Sequence, residues 1–141
     1  MSLRDLIATF ADNSDIAVVV TDGLLTPPGP HILYVNTTFE RMTGFDRDEV
    51  LGKNPRIFQG RGTSLATRKL LARALRAGER HATTLVNYRK SGEAYLCAIE
   101  VFPILDSDGV LINAVALERE VERRPGRHPS YRPATVDDDR P

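Results

Sequence analysis

The sequence predicts an α+β domain, a five-stranded antiparallel sheet with short helices packed on one face. Three observations carry that expectation. Two runs rich in β-branched residues, Ile16–Thr21 and His31–Val35, read as early strands. Helical patterns then fill residues 36 to 78, with Gly44, Gly52 and Gly78 placed as C-terminal stops. Three further strand-like runs follow, separated by Ser91-Gly92 and Asp106-Ser107-Asp108-Gly109, which makes an antiparallel meander.

Composition narrows the function classes. The 141 residues suit one domain with short flanks, and 41% hydrophobic content supplies a single core. Lys+Arg 19 against Asp+Glu 19 gives zero formal charge, which argues against nucleic-acid binding driven by phosphate contacts. A single cysteine, Cys97, excludes an internal disulfide and a cysteine-based zinc site, and His31, His81 and His128 are scattered. The start Met-Ser-Leu-Arg-Asp lacks signal-peptide character, and no apolar run approaches about 18 residues. The expectation is a soluble cytoplasmic protein with no membrane and no nucleic-acid partner.

Each element has a local reason. Residues 1–15 read as an N-terminal amphipathic cap helix, with Ser2 capping, Asp5 three residues on, and Leu3, Leu6, Ile7 and Phe10 on one face. So short a helix must dock to persist. Residues 16–118 form the domain. Residues 24 to 30, with three prolines and a glycine, form a loop. Asn36 or Thr37 opens a helix that turns Phe39 and Met42 inward. Asp46 to Glu49 resembles a capping box ahead of Val50 and Leu51. Asn54 then caps a single turn with Pro55 at its first position, where a missing N–H costs nothing. That turn presents Asn54, Arg56 and Gln59, polar groups an ordinary core turn does not need. Thr63 or Ser64 starts a longer helix to about Ala77, with Leu70/Ala74 and Leu71/Leu75 as inward pairs and Arg68, Lys69, Arg73 and Arg76 on the other side. Residues 119–141 carry four prolines, dense charge and almost no apolar residue, so a disordered tail is expected.

Strand alternation sorts the sheet faces. Thr83, Leu85 and Asn87 go together, as do Cys97, Ile99 and Val101, and Ile112, Ala114, Ala116 and Glu118. The opposite face carries Val86, Leu96, Ala98, Phe102, Val115 and Leu117. Both faces are apolar, so the helices cover one; the other needs the N-terminal helix, a partner subunit, or both. A homodimer through this outer face is expected. On the helix-covered face Asn87 and Glu118 must find partners, either each other or a polar heterocycle.

Gly52-Lys53-Asn54-Pro55-Arg56-Ile57-Phe58-Gln59-Gly60 resembles the Gly-x-Asn-Cys-Arg-Phe-Leu-Gln-Gly signature of LOV (light, oxygen, voltage) domains, the flavin-binding subfamily of PAS domains. Asn87-Tyr88-Arg89-Lys90-Ser91-Gly92 resembles the same family's Asn-Tyr-x-Lys-x-Gly, at the usual spacing. The resemblance covers about residues 16 to 118 and implies the PAS/LOV fold in a short stand-alone regulator. It implies FMN as cofactor, with riboflavin or FAD as alternatives. By resemblance, Asn54 and Gln59 contact the ribityl chain, Arg56 the phosphate, and Asn87 the polar ring edge. Val19 and Thr21 line the ring pocket, while Leu85, Ile99 and Val101 pack on the ring faces.

Four positions depart from the family. Pro55 stands where the photoreactive cysteine belongs, so the cysteinyl–flavin adduct cannot form. Cys97 replaces a second ring-binding Asn, and Glu118 replaces a Gln that passes the signal to the sheet. Ala72 replaces a second phosphate Arg, with Arg68, Arg73 or Arg76 as substitutes. Losing one ring amide or one phosphate Arg costs about 1–3 kcal/mol each. Two readings follow: a flavin-binding sensor of blue light or redox state that signals as a dimer, or a cofactor-free PAS module for dimerisation or for a signalling partner. An enzyme is not expected, because no nucleophile–base pair or metal cluster is present.

Overall fold

A computed structural model describes residues 2–122. The tail expected over 119–141 therefore lies outside the described residues beyond position 122. The elements are α1 (Leu3–Ala11), β1 (Ala17–Asp22), β2 (Ile32–Val35), α2 (Thr37–Thr43), α3 (Arg47–Val50), a 3-10 turn (Pro55–Phe58), α4 (Leu65–Arg76), β3 (His81–Tyr88), β4 (Ala94–Leu105) and β5 (Leu111–Val121). The strands form one antiparallel sheet in the order β2-β1-β5-β4-β3. The last strand in sequence thus sits at the centre, paired with the first.

Local chemistry explains the helical stretch. Asn36 Oδ1 accepts from the Phe39 N–H and caps α2, which Gly44 ends with φ 78°. The Glu49 carboxylate reaches back to the Asp46 N–H at the start of α3. Asn54 Oδ1 accepts from the Arg56 N–H with Pro55 following, so the expected capped turn forms as a 3-10 turn. Ser64 caps α4. Gly60 lies on the Tyr88 ring, where a Cβ would come within 2.5 Å of a ring carbon. The Tyr88 hydroxyl accepts from the Gly62 N–H, and the Thr63 hydroxyl donates to the Val86 carbonyl. These contacts pin the segment between the 3-10 turn and α4 onto β3.

The core has separate parts on the two sheet faces. Ala17, Val19, Ile32, Val35, Phe39, Val50 and Phe58 pack on the helix side, with Phe39 and Phe45 edge-on to Phe58 at 5.1 and 5.5 Å. On the opposite side Ile7, Ala8 and Ala11 of α1 pack against Val18, Val20, Tyr34, Val115 and Leu117.

Several expectations need correction. The apolar stripe of α1 is rotated: Ile7, Ala8 and Ala11 face the sheet, while Leu6 (44%) and Phe10 (72%) are exposed. The end of the helix sets this rotation, because Asn36 Nδ2 donates to the Ala11 carbonyl and the Tyr34 hydroxyl to Asp12. The outer face is also less open than expected. Val115 and Leu117 lie under α1, Val86 is buried, and Arg80 covers Phe102 at 4.7 Å. Leu96, Ala98 and Phe102 remain half-buried. On α4, Leu70 is exposed, and Leu71 and Leu75 make the inward contact. Finally, β5 continues through Val121, pairing Arg119, Glu120 and Val121 with Ala98, Cys97 and Leu96. Residues 119–121 therefore belong to the sheet.

Candidate functional site

A cavity of about 600 Å³ lies between the sheet and α4, closed at one side by the 3-10 turn. That volume is in the range of small-molecule sites. Its floor is Val19 and Thr21 from β1, Leu85 and Asn87 from β3, Ile99 and Val101 from β4, and Ala114, Ala116 and Glu118 from β5. Asn54, Pro55, Arg56, Phe58 and Gln59 form one wall, Leu25 and Pro30 another, and α4 the roof. The small β5 residues Ala114 and Ala116 leave room that larger side chains would fill.

The polar groups fall into two sets. At the sheet, Asn87 is buried and its Oδ1 has no hydrogen-bond partner. Glu118, 6% exposed, accepts a hydrogen bond from the Cys97 thiol at 3.7 Å. Burial raises the Glu118 carboxyl from 4.5 to about 7, against a smaller lowering by the Cys97 thiol. Burial, with Glu118 close by, also pushes the Cys97 thiol well up, so it stays protonated. Tyr95, opposite Asn87 in the β3–β4 ladder, is buried with its hydroxyl beside the Asn87 side chain, and Arg89 stacks on its ring at 4.5 Å. At the roof, Arg68 Nη1 donates to Gln59 Oε1 at 3.2 Å, while its buried Nε has no partner.

A family model described as "PAS domain" matches residues 15–123. The chain belongs to the PAS family. A solved LOV domain from the blue-light activated histidine kinase of Erythrobacter litoralis is 30% identical, with a TM-score of 0.69, over 77% of this chain and 97% of that one. The structure of an RNA-binding light-oxygen-voltage receptor is 26% identical with a TM-score of 0.74, over 84% of this chain and 33% of that one. A blue-light-activated histidine kinase of Brucella canis is 33% identical over 94 residues, 67% of this chain and 19% of that protein. The chain thus spans about a fifth of the curated relatives it matches. It is a PAS domain of the LOV type, a sensory class.

Within this LOV-type domain the fold brings together nearly all the residues singled out from sequence. Asn54, Pro55, Arg56, Gln59, Arg68, Val19, Thr21, Leu85, Asn87, Ile99, Val101 and Glu118 all line one cavity. Cys97 does not. It shares the face of Ile99 but is fully buried, its thiol directed to Glu118 and the Ala98 carbonyl. The longer Glu118 side chain, from the neighbouring strand, takes the cavity wall instead. Asn54 is already engaged, since its Nδ2 donates to the Pro28 carbonyl at 3.3 Å while its Oδ1 caps the turn.

Other lining residues were not anticipated as site residues. Leu25 and Pro30 come from the proline-rich loop, whose return to the cavity is a tertiary fact. Ala114 and Ala116 were readable as inward, but not as the source of the space. Arg73 and Arg76, named from sequence as substitutes for the arginine missing at Ala72, do border the cavity, and Lys69, which was not singled out, lies beside them. Among the described residues no helix is long and apolar enough to cross a membrane.

Proposed function

We propose that this LOV-type domain holds a flavin in the cavity and senses blue light or redox state without a thiol–flavin bond. The observation that carries the reading is a cavity with an apolar middle and an unpartnered buried polar atom at each end, Asn87 Oδ1 and Arg68 Nε. A buried polar atom without a partner is costly, and a ligand with matching groups removes the cost. A flavin has the chemistry for this, with a flat ring, a polar ring edge, a hydroxylated chain and, in FMN or FAD, phosphate. A bound flavin supplies blue-light absorption and one-electron redox chemistry.

The chain's own residues divide the work. Val19, Thr21, Leu85, Ile99 and Val101 exclude water from the ring. Asn87 orients the polar ring edge, Gln59 meets the hydroxylated chain, and Arg56 with Arg68 binds phosphate through charge-assisted bonds. Glu118 holds or releases a proton at its carboxyl oxygen near neutral pH. Cys97, the chain's only cysteine, lies outside the cavity wall, and Pro55 occupies the position facing it. The signal then passes from Glu118 along β5 to α1 and a second copy of the chain. FMN is the first candidate, with riboflavin and FAD as alternatives.

The test is the absorption spectrum of the purified protein together with chromatography of the released cofactor. A preparation that stays colourless after refolding with FMN overturns this reading. A second reading, a cofactor-free dimerisation module, is favoured by exposed Leu6 and Phe10 on α1. Solution mass without flavin tests it, and a monomer at micromolar concentration counts against it. Kinase activity belongs to the longer relatives; we read this domain as sensory rather than catalytic. The RNA-binding LOV receptor weighs against excluding a nucleic-acid partner on net charge alone.

A further inference from the structure

Glu118 sits at the middle of the sheet, with Ala17 of β1 on one side and Ile99 of β4 on the other. It is buried, and it lines the cavity among Val19, Leu85, Ile99, Val101 and Ala116. Its one hydrogen bond among the described residues comes from the Cys97 thiol. The titratable groups around it do not neutralise it. Burial keeps Tyr95 and Cys97 on β4 protonated, and Glu120 further along β5 pairs with Arg89. From β1 and β3 the polar lining groups are Thr21 and Asn87, which carry no charge. Arg56 on the 3-10 turn and Arg68, Lys69, Arg73 and Arg76 on α4 border the same cavity, yet none of them forms an ion pair with Glu118.

A flat, uncharged ring that fills the cavity keeps solvent from this carboxyl, and a carboxylate without a cation partner then takes a proton rather than stay charged. The count of donors leads to the same state. An oxidised flavin ring carries one N–H on its polar edge, beside two carbonyl oxygens and two unprotonated nitrogens. Asn87 Oδ1, a buried acceptor without a partner, takes that N–H. The groups left for Glu118 are acceptors, and only the protonated acid has a hydrogen to give them. We propose that Glu118 sets the specificity of the cavity through its proton: the domain binds an uncharged, acceptor-rich heterocycle with this carboxyl protonated, and takes up a proton on binding wherever the free domain holds it ionised. This rests on the flavin reading above and adds regulation to it, because occupancy then follows pH. With a free-domain value of about 7, the binding-competent fraction falls about tenfold from pH 6 to pH 8.

Riboflavin is the probe, because it lacks the phosphate of FMN, whose second ionisation falls at about pH 6. Its affinity for the full chain, freed of co-purified flavin, is read by fluorescence titration across that range. Proton uptake is read by calorimetry in two buffers of different ionisation enthalpy. Affinity is expected to fall about tenfold from pH 6 to pH 8, with uptake rising from about a tenth to about nine-tenths of a proton. Glu118→Gln is expected to abolish both the fall and the uptake. Cys97→Ala removes the bond that favours the ionised form, so the fall is expected to move to higher pH. The wild-type and Cys97→Ala curves decide the matter even without a folded Glu118→Gln. Wild-type affinity that is flat or rises with pH overturns the inference and leaves the flavin reading standing. So does uptake that persists in Glu118→Gln, which assigns the proton to another group. If neither riboflavin nor FMN binds at any pH, the flavin reading fails first and takes this one with it.

Discussion

Glu118→Gln isolates the most consequential buried charge in the protein. A carboxyl whose folded value is about 7 against an ordinary 4.5 makes the folded state bind its proton more tightly than the unfolded state does. The stability it confers is therefore fully present below 4.5 and lost as pH rises through 7. With about 1.4 kcal/mol for each tenfold change, the loss across that window is about 3 kcal/mol. Asp22 and Glu40, whose carboxyls are held below the usual range, act in the opposite sense and at lower pH. The assay is urea denaturation of flavin-free protein between about pH 5 and pH 8, for wild type and Glu118→Gln. Wild type should lose about 3 kcal/mol relative to the variant over that range. Replacing Cys97 by Ala removes the hydrogen bond that lowers the Glu118 carboxyl, so the loss should move to higher pH. Parallel pH profiles for wild type and Glu118→Gln would refute the reasoning.

Other substitutions separate binding from folding. Asn87→Leu removes an unpartnered buried acceptor, so flavin-free protein should be unchanged or about 1 kcal/mol more stable, while flavin affinity falls about 10- to 100-fold; denaturation and titration read the two effects. Asn36→Ala should destabilise by about 2–4 kcal/mol in thermal or urea melts, because its amide joins Ala11, Ile16, Val18 and Phe39. Leu6→Ser/Phe10→Ser should shift a dimer toward monomer by size-exclusion light scattering, with stability changed by no more than about 0.5 kcal/mol, since both side chains are exposed.

The part of the site on β3, β4 and β5 was legible because a strand's period of two is rigid, whereas Asn54, Arg56, Gln59, Val19 and Thr21 came from the family resemblance. Once Leu85 and Asn87 shared a face, Ile99, Val101, Ala116 and Glu118 followed by the same rule, and the ladder brings them together. Depth was not legible. Cys97 lies on the correct face, yet whether it or Glu118 reaches the cavity depends on side-chain lengths on adjacent strands. The end of β5 was missed because Arg119 and Glu120 resemble the charged tail; their pairing with β4 is non-local. The rotation of α1 escaped for a similar reason, being fixed by Asn36 and Tyr34 more than twenty positions away. Asn36 itself read only as a cap, and its bonds to Ala11, Ile16 and Val18 were invisible without the fold.

The central position of β5 has a mechanical consequence. Ala116 and Glu118 look into the cavity, while Val115 and Leu117 press on α1 from the other side of the same backbone. A twist that lifts Glu118 must tilt its neighbour Leu117, so the cavity and α1 are separated by the thickness of one pleat. The helix receiving that tilt is only nine residues long and gains little from its own hydrogen bonds. Its hold on the sheet comes instead from Ile7, Ala8 and Ala11 and from the hydrogen bonds that Asn36 and Tyr34 make to its last turn, so any movement of Leu117 is felt directly by that small contact.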